Sequence, residues 1–180
     1  MAYPKKITET SILAAARLSL EHDGGLSLKG VARRLRVKPP SLYRYYPSII
    51  VLRGALAAEG FRQIGGVMRA ALAREATLES LALSFRRFAV AHPRLYHLMH
   101  APVTETGQNR AAREEALLPL LDLTGLSLDN PEFIRFQRIV WAFVHGFIAL
   151  EQSGHFVAGG NLDIPFRAGI RTLAASLKRP

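Results

Sequence analysis

Apolar residues in this chain recur at intervals of three and four, not two, as with Ile12, Ala16 and Leu20 near its start. That spacing lays one face of a helix against a core. No alternating β-branched run competes with it, and no Asn-Gly or Asp-Gly hairpin turn appears. The chain is therefore expected to be all-α, with about nine helices. Its 180 residues are enough for a small head carried on a larger helical body.

Helix-start and helix-stop residues divide the chain. A first helix from about Thr8 to His22 should end at Asp23-Gly24-Gly25, where glycine supplies a left-handed residue. Ser27 caps a second helix through Leu35, and a third runs from near Pro40 to near Pro47. A longer helix, roughly Ile50 to Leu72, links head to body. Thr77 caps the next through Ala91, and Pro93 forces a break. Leu95–His100 reads as a helical turn, Thr104–Asn109 as a loop, and Arg110–Leu123 as one amphipathic helix kinked at Pro119. Asn130-Pro131-Glu132 opens a helix to Ser153 that stops at Gly154, and a last helix spans about Ile164 to Leu177. The expected domains are a head of residues 1–50 and a body of residues 51–180.

Charge separates the same two parts. Residues 1–53 carry ten Lys and Arg against three Asp and Glu, whereas residues 54–180 carry fourteen against eleven. A basic head on a near-neutral body suits nucleic acid, and could equally meet anionic lipid or serve solubility alone. There is no cysteine, which excludes disulfides and Cys-based zinc sites and agrees with a reducing cytoplasm. Met1–Lys6 leads straight into a mixed polar and apolar pattern, without the form of a signal peptide. The apolar run Ile139–Leu150 is broken by His145 and falls short of the ~20 residues of a membrane span. A cytoplasmic protein with no membrane association is expected.

Two short helices joined by a tight turn, Ser27–Leu35 and Pro40–Tyr46, have the form of a helix-turn-helix. Val31, Leu35, Val37 and Leu42 would hold them together, with small Ala32 allowing close approach. Pro39, preceding Pro40, is biased toward an extended backbone, which would leave the Ser41 and Leu42 N–H groups free for a DNA phosphate. At about 100° per residue, Ser41, Arg44 and Tyr45 share one arc of the second helix. Arg suits guanine or phosphate, and the hydroxyls suit phosphate or base edges. Lys38 and Lys29 add phosphate contacts.

The run from Gly25 to Tyr46, Gly-Leu-Ser-Leu-Lys-Gly-Val-Ala-Arg-Arg-Leu-Arg-Val-Lys-Pro-Pro-Ser-Leu-Tyr-Arg-Tyr-Tyr, strongly resembles the N-terminal domain of the tetracycline-repressor (TetR) family. Ala32, the Ser41-Leu42-Tyr43 triplet and aromatic Tyr46 fall in register, as does the preceding helix with Ile12, Ala15 and Ala16. Phe88–Met99 and Trp141-Ala142-Phe143-Val144-His145-Gly146 resemble the body of a TetR subgroup named for a Trp/His-Gly motif. The resemblance implies an all-helical homodimer that binds double-stranded DNA, with an unidentified small-molecule effector held in each subunit. The DNA-binding residues it suggests are Ser27, Lys29, Arg36, Lys38, Pro39, Pro40, Ser41, Tyr43, Arg44 and Tyr45. An effector would be lined by Phe85, Phe88, Tyr96, Met99, His100, Leu121 and Trp141, residues whose types and helical spacing by themselves suit a packed core. Val144, His145, Ile148, Ile170 and Leu173 would form the dimer interface, a histidine bonded within its own subunit being the equal alternative for His145.

Two positions depart from the family. Its members usually have glycine where Arg36 stands, because that residue turns left-handed; Arg there should cost about 1–2 kcal/mol. They also usually have Lys or Arg at the position of Ile49, where Ser48-Ile49-Ile50-Val51 offers no cation for phosphate.

No nucleophile elbow, phosphate loop, dinucleotide fingerprint or metalloprotease motif is present. Adjacent Glu114 and Glu115 diverge on a helix, and the six histidines lack metal spacing. No enzyme activity, metal or cofactor is expected. The expected function is a DNA-binding transcriptional regulator, a ligand-responsive repressor acting on a palindromic operator. The alternative, prompted by Arg36 and Ile49, is a regulator-derived dimer that binds a small molecule or protein and has weakened or lost specific DNA binding.

Overall fold

Thr8 opens the first helix with a reciprocal capping box. Its hydroxyl accepts from the Ser11 N–H at 3.1 Å, and the Ser11 hydroxyl accepts from the Thr8 N–H at 3.0 Å. Such caps recur along the chain. Ser27 Oγ accepts from the Gly30 N–H at 3.0 Å, Thr77 Oγ1 from the Ser80 N–H at 3.1 Å, and Asn130 Oδ1 from the Glu132 N–H at 2.8 Å. The computed structural model describes residues 7–101 and 107–177, and every regular element among them is helical. In order these are α1 (Glu9–His22), α2 (Leu28–Leu35), α3 (Pro40–Tyr43), α4 (Ile49–Arg74), α5 (Leu78–Ala91), α6 (Pro93–His100), α7 (Gly107–Glu115), α8 (Leu118–Thr124), α9 (Pro131–Gln152) and α10 (Asp163–Leu177). The expected all-α architecture is present, ten helices being reached when the four-residue α3 is counted.

Several boundaries differ from expectation for local reasons. Residues 107–109, expected as loop, belong to α7, whose Asn109 and Ala112 are buried a turn apart. The expected Thr104–Asn109 loop otherwise lies outside the described residues, as does the Met1–Lys6 segment. Pro119 ends a helix where a kink was expected. Proline clashes with the carbonyl four residues earlier, which is Glu115, the last residue of α7, and the chain restarts as α8 with proline in its first turn. α3 ends at Tyr43, before Pro47, because the Tyr45 and Tyr46 N–H groups both turn back onto the Leu42 carbonyl at 2.9 Å.

The chain divides into two compact units. The first comprises residues up to 61 together with 94–113. Its core holds Ile12, Ala16, Val31, Ala32, Leu42, Leu52 and Leu56, all at most 1% exposed. Arg94 and Glu21 brace it reciprocally. The Arg94 guanidinium donates to the α1 carbonyls of Leu20 and Glu21 at 3.1 and 3.0 Å, and Glu21 Oε1 accepts from the Leu95 N–H at 3.3 Å.

The second unit comprises residues 62–93 and 114 onward, and there α5 packs against α8, α9 and α10. Arg86 of α5 is 5% exposed and lies in the unit's interior. It donates to both Glu151 carboxylate oxygens at 2.7 Å and to Asp163 Oδ1 at 2.6 Å, with its guanidinium 5.3 and 5.2 Å from the Phe147 and Phe166 ring centroids. A buried cation is tolerated when its donors are satisfied in this way.

Candidate nucleic-acid interface

The helix-turn-helix is built on a sealed inner face. Val31 and Leu42 are 0% exposed, Ala32 is 1% exposed, and Leu35 and Val37 are half-buried. Between α2 and α3 the chain turns at Arg36, with φ 58° and ψ 43°. Among the described residues it is the one non-glycine at positive φ. Its N–H donates to the Arg33 carbonyl at 3.1 Å and that of Val37 to Ala32 at 3.0 Å, the paired bonds that close a helix around a left-handed residue. The left-handed turn expected at Arg36 is thus in place, with arginine carrying the strain.

Asp23 fixes α2 to the end of α1. It accepts from Ser19 Oγ and Arg34 Nε, each at 2.9 Å, and is ion-paired with Arg34 Nη2. The Arg34 hydrogen bonds, then that of Ser19, hold its carboxyl below the usual carboxylate range. Arg34 is therefore engaged in structure, while Arg33, Arg36, Lys29, Lys38 and Arg44 are exposed.

The start of α3 corrects the sequence reading. Pro39 is helical, with φ −49° and ψ −38°, despite the steric bias imposed by Pro40. The turn begins at Lys38, so the Ser41 N–H donates to the Lys38 carbonyl and the Leu42 N–H to the Pro39 carbonyl, both at 3.0 Å. Those two N–H groups are not free for phosphate. Ser27, Pro40 and Tyr43 are exposed, Tyr43 at 51%, whereas Pro39, Ser41 and Tyr45 are half-buried. Tyr45 differs from the others because its hydroxyl donates to the Ile7 carbonyl at 2.7 Å.

The remaining expected residues fall in separate places. In the first unit, Tyr96 and Met99 are buried, and His100 is exposed with Nδ1 2.8 Å from the Tyr96 carbonyl. The His100 ring lies 4.6 Å from that of Tyr96 and 5.8 Å from that of Phe61. Burial pushes the Tyr96 hydroxyl well above the usual phenol range. In the second unit, Phe85 and Phe88 are buried and Leu121 and Trp141 half-buried, with the Phe85 ring 4.7 Å from Trp141. A recess of about 1250 Å³ in that unit, lined in part by Leu78, Leu126, Phe136, Arg135 and Arg171, touches none of the seven expected effector residues.

Three of the five expected dimer residues need correction. Val144, Ile148 and Ile170 are 0% exposed within one protomer and are unavailable to a partner. Half-buried His145 packs on its own chain, 5.5 Å from both Phe85 and Trp141. Leu173 is half-buried. The exposed stripes are instead Ile139, Ala142, Gly146 and Ala149 on α9 and Ala168, Thr172 and Ala175 on α10. Gly146 is marked by the Trp/His-Gly resemblance, but the other small residues at this spacing carry little signal in a sequence.

Comparison with known proteins decides the family. Residues 78–173 match the model described as the tetracyclin repressor-like C-terminal domain. The chain belongs to the tetracycline-repressor family of transcriptional regulators. A helix-turn-helix-type regulator of Mycobacterium tuberculosis is similar to this TetR-family chain, at 27% identity over 99% of this chain and 85% of the relative. A protein of unknown function from Rhodococcus sp. RHA1 superimposes with a TM-score of 0.81 at 25% identity, covering 99% of this chain and 100% of that one. A TetR variant of Acinetobacter baumannii AYE, solved in complex with minocycline, has a TM-score of 0.61 at 25% identity over 97% and 98% of the two chains. The TetR architecture thus extends over the head, beyond the residues that the family model matches.

Proposed function

We propose that this TetR-family chain acts as a homodimeric, ligand-responsive repressor that reads a palindromic operator through α2 and α3. One observation carries the reading. Lys29, Arg36, Lys38, Tyr43 and Arg44 stand exposed on a helix-turn-helix whose inward residues are sealed. Arg44 reads guanine or phosphate, Lys29, Arg36 and Lys38 neutralise phosphates, and Ser27, Ser41 and Tyr43 add hydroxyl contacts. Pro39 and Pro40 shape the start of α3. Residues 1–50 serve as the DNA-binding head and 51–180 as the effector and dimerisation body.

A second copy of the chain is the partner that α9 calls for. By length and composition alone this 22-residue helix could cross a membrane. Phe133, Val140, Val144 and Ile148 bury one side of it, and its Ile139, Ala142, Gly146 and Ala149 side remains exposed. Pairing that stripe with its symmetry mate, alongside α10, removes it from water in a cytoplasmic protein. The effector reading is supported by the minocycline complex of the Acinetobacter relative and by the aromatic clusters around Tyr96 and Trp141. The Trp141 and His145-Gly146 pattern supports placement in the Trp/His-Gly subgroup. No reaction is assigned to the chain in this reading.

A gel-shift titration against the DNA flanking its own gene, repeated at rising salt, tests the reading. Expected is one fragment bound well above random duplex, with log Kd rising by about 0.9 per phosphate contact per decade of salt. No fragment preferred over random duplex at low salt would sink it. A second reading, a dimer that has lost specific DNA binding, is favoured by the start of α4. There half-buried Ile49 stands where a phosphate-binding cation is usual, and Ile50 and Val51 beside it are 58% and 42% exposed. The same titration separates the two.

A further inference from the structure

We propose that Tyr45 is a positioning residue that holds the Arg44 guanidinium ready to read DNA and does not itself touch the duplex. The inference rests on the DNA-binding reading above and adds a role for a side chain expected, from its place on the helix, to contact DNA directly.

A phenol has one proton to give. In Tyr45 it goes to the Ile7 carbonyl at 2.7 Å, the most favoured length for an O–H···O bond. Donating to a phosphate instead would break that bond and strand a half-buried carbonyl. What the hydroxyl retains is its capacity to accept, and Arg44 uses it: Nη2 donates to Tyr45 Oη at 3.3 Å. The same guanidinium lies over the Tyr45 ring, 5.1 Å from its centroid, close enough for a cation–π contact.

Two bonds in series therefore run from Arg44 to Tyr45 to the backbone of Ile7. Each polarises the next, because a hydroxyl whose proton is drawn off becomes a better acceptor. Their far end is anchored, since Ile7 immediately precedes Thr8 and its capping box at the start of α1. The sequence separation of 38 residues between Tyr45 and Ile7 means that the tether forms only when the head is folded. A free arginine must lose its side-chain freedom when it docks on a base edge. One already fixed by a ring face and a hydroxyl has less to lose. Arg44 uses one N–H on Tyr45, and its others remain for a planar, two-bond contact.

The test is a double-mutant cycle of Tyr45→Phe and Arg44→Ala in the full chain. Affinity for the operator and for random duplex is measured by fluorescence anisotropy across a salt series. Tyr45→Phe keeps the ring and removes the hydroxyl. It should lower the operator-to-random ratio by about threefold to tenfold, the worth of one ordinary hydrogen bond. It should leave the salt slope unchanged and have no further effect in the Arg44→Ala background. Because both duplexes are titrated into one preparation, the ratio does not move with any unfolded fraction. Additive losses in the cycle overturn the proposal. So does an unchanged operator-to-random ratio with both duplexes weakened alike, which is the signature of a hydroxyl on phosphate. A parent protein that prefers no operator defeats the DNA-binding reading, whereas a selective parent with an additive cycle defeats this inference alone.

Discussion

Arg36 is where this head departs most sharply from the economy of its fold. A side chain at φ 58° meets its own backbone, at a cost of about 1–2 kcal/mol. Glycine would remove the strain but enter the fold from a freer unfolded chain, returning part of the gain. Arg36→Gly should therefore stabilise the protein by about 0.5–1 kcal/mol, visible as a rise in thermal midpoint. If Arg36 also meets a phosphate, the salt slope of operator binding should fall by about 0.9 in the same variant. A stability gain with an unchanged slope would mean that the arginine is not at the DNA. Single residues were legible in the sequence where their partners are close along the chain. The caps at Ser27, Thr77 and Asn130 each bond within three residues. The bond made by Tyr45 was not legible because helical spacing says where a side chain starts, and its partner at Ile7 is brought to it by the fold. The Ser41 and Leu42 N–H groups were misread because the turn at Lys38 closes one residue sooner than the Pro-Pro pair suggests.

Among elements, the close approach of α4 and α6 depends on an absent side chain. A Cβ added at Gly60 would stand 2.7 Å from Met99 Sδ and 2.9 Å from its Cγ, nearer than van der Waals contact allows. Gly60→Ala should cost about 1–3 kcal/mol by overpacking, offset in part by the better helix propensity of alanine. Because Met99 is flexible, adding Met99→Ala should recover some of the loss, so that the two substitutions are less than additive in denaturant unfolding. Strict additivity would show that the thioether is not what Gly60 accommodates. The long helices could be read from periodicity and caps to within a residue or two. The stretch from Arg110 to Leu123 could not, because periodicity does not distinguish a proline that bends a helix from one that divides it. The burial of Asn109 and Ala112 extends α7 toward the N-terminus, and the Glu115 carbonyl sets its other end.

For the whole molecule, the exposed α9 stripe bears on assembly. Gly146 has nothing within 4 Å of where a Cβ would stand, so Gly146→Arg should leave the protomer's helix content intact. In the proposed dimer it should halve the mass seen by sedimentation and abolish high-affinity operator binding. A dimer of unchanged mass would place the interface elsewhere. The sequence pointed instead to Val144, Ile148 and Ile170, because the most apolar residues of a helix serve its own core first. What faces a partner is then set by smallness and exposure, which only the fold displays. Acid should act on the body through its ion pairs. Glu79 is held below the usual carboxylate range first by the Arg171 hydrogen bond, and Asp163 first by that of Arg87 and then that of Arg86. Both pKa values are depressed, so the stability they confer is present above their unfolded values of about 4 and is lost as pH falls through the lower folded values. The thermal midpoint should fall below about pH 4 as these pairs protonate, with less of that fall in Asp163→Asn.

Arg86 has a further consequence, for how this body opens. Its one guanidinium holds carboxylates on α9 and at the start of α10 from a seat on α5, so none of the three helices can fray there without exposing a charge the others have desolvated. Slow amide protons in the three helices should therefore exchange with a common opening free energy, as one cooperative block. Exchange of α10 well ahead of α5 and α9 would show that the link is too weak to join them.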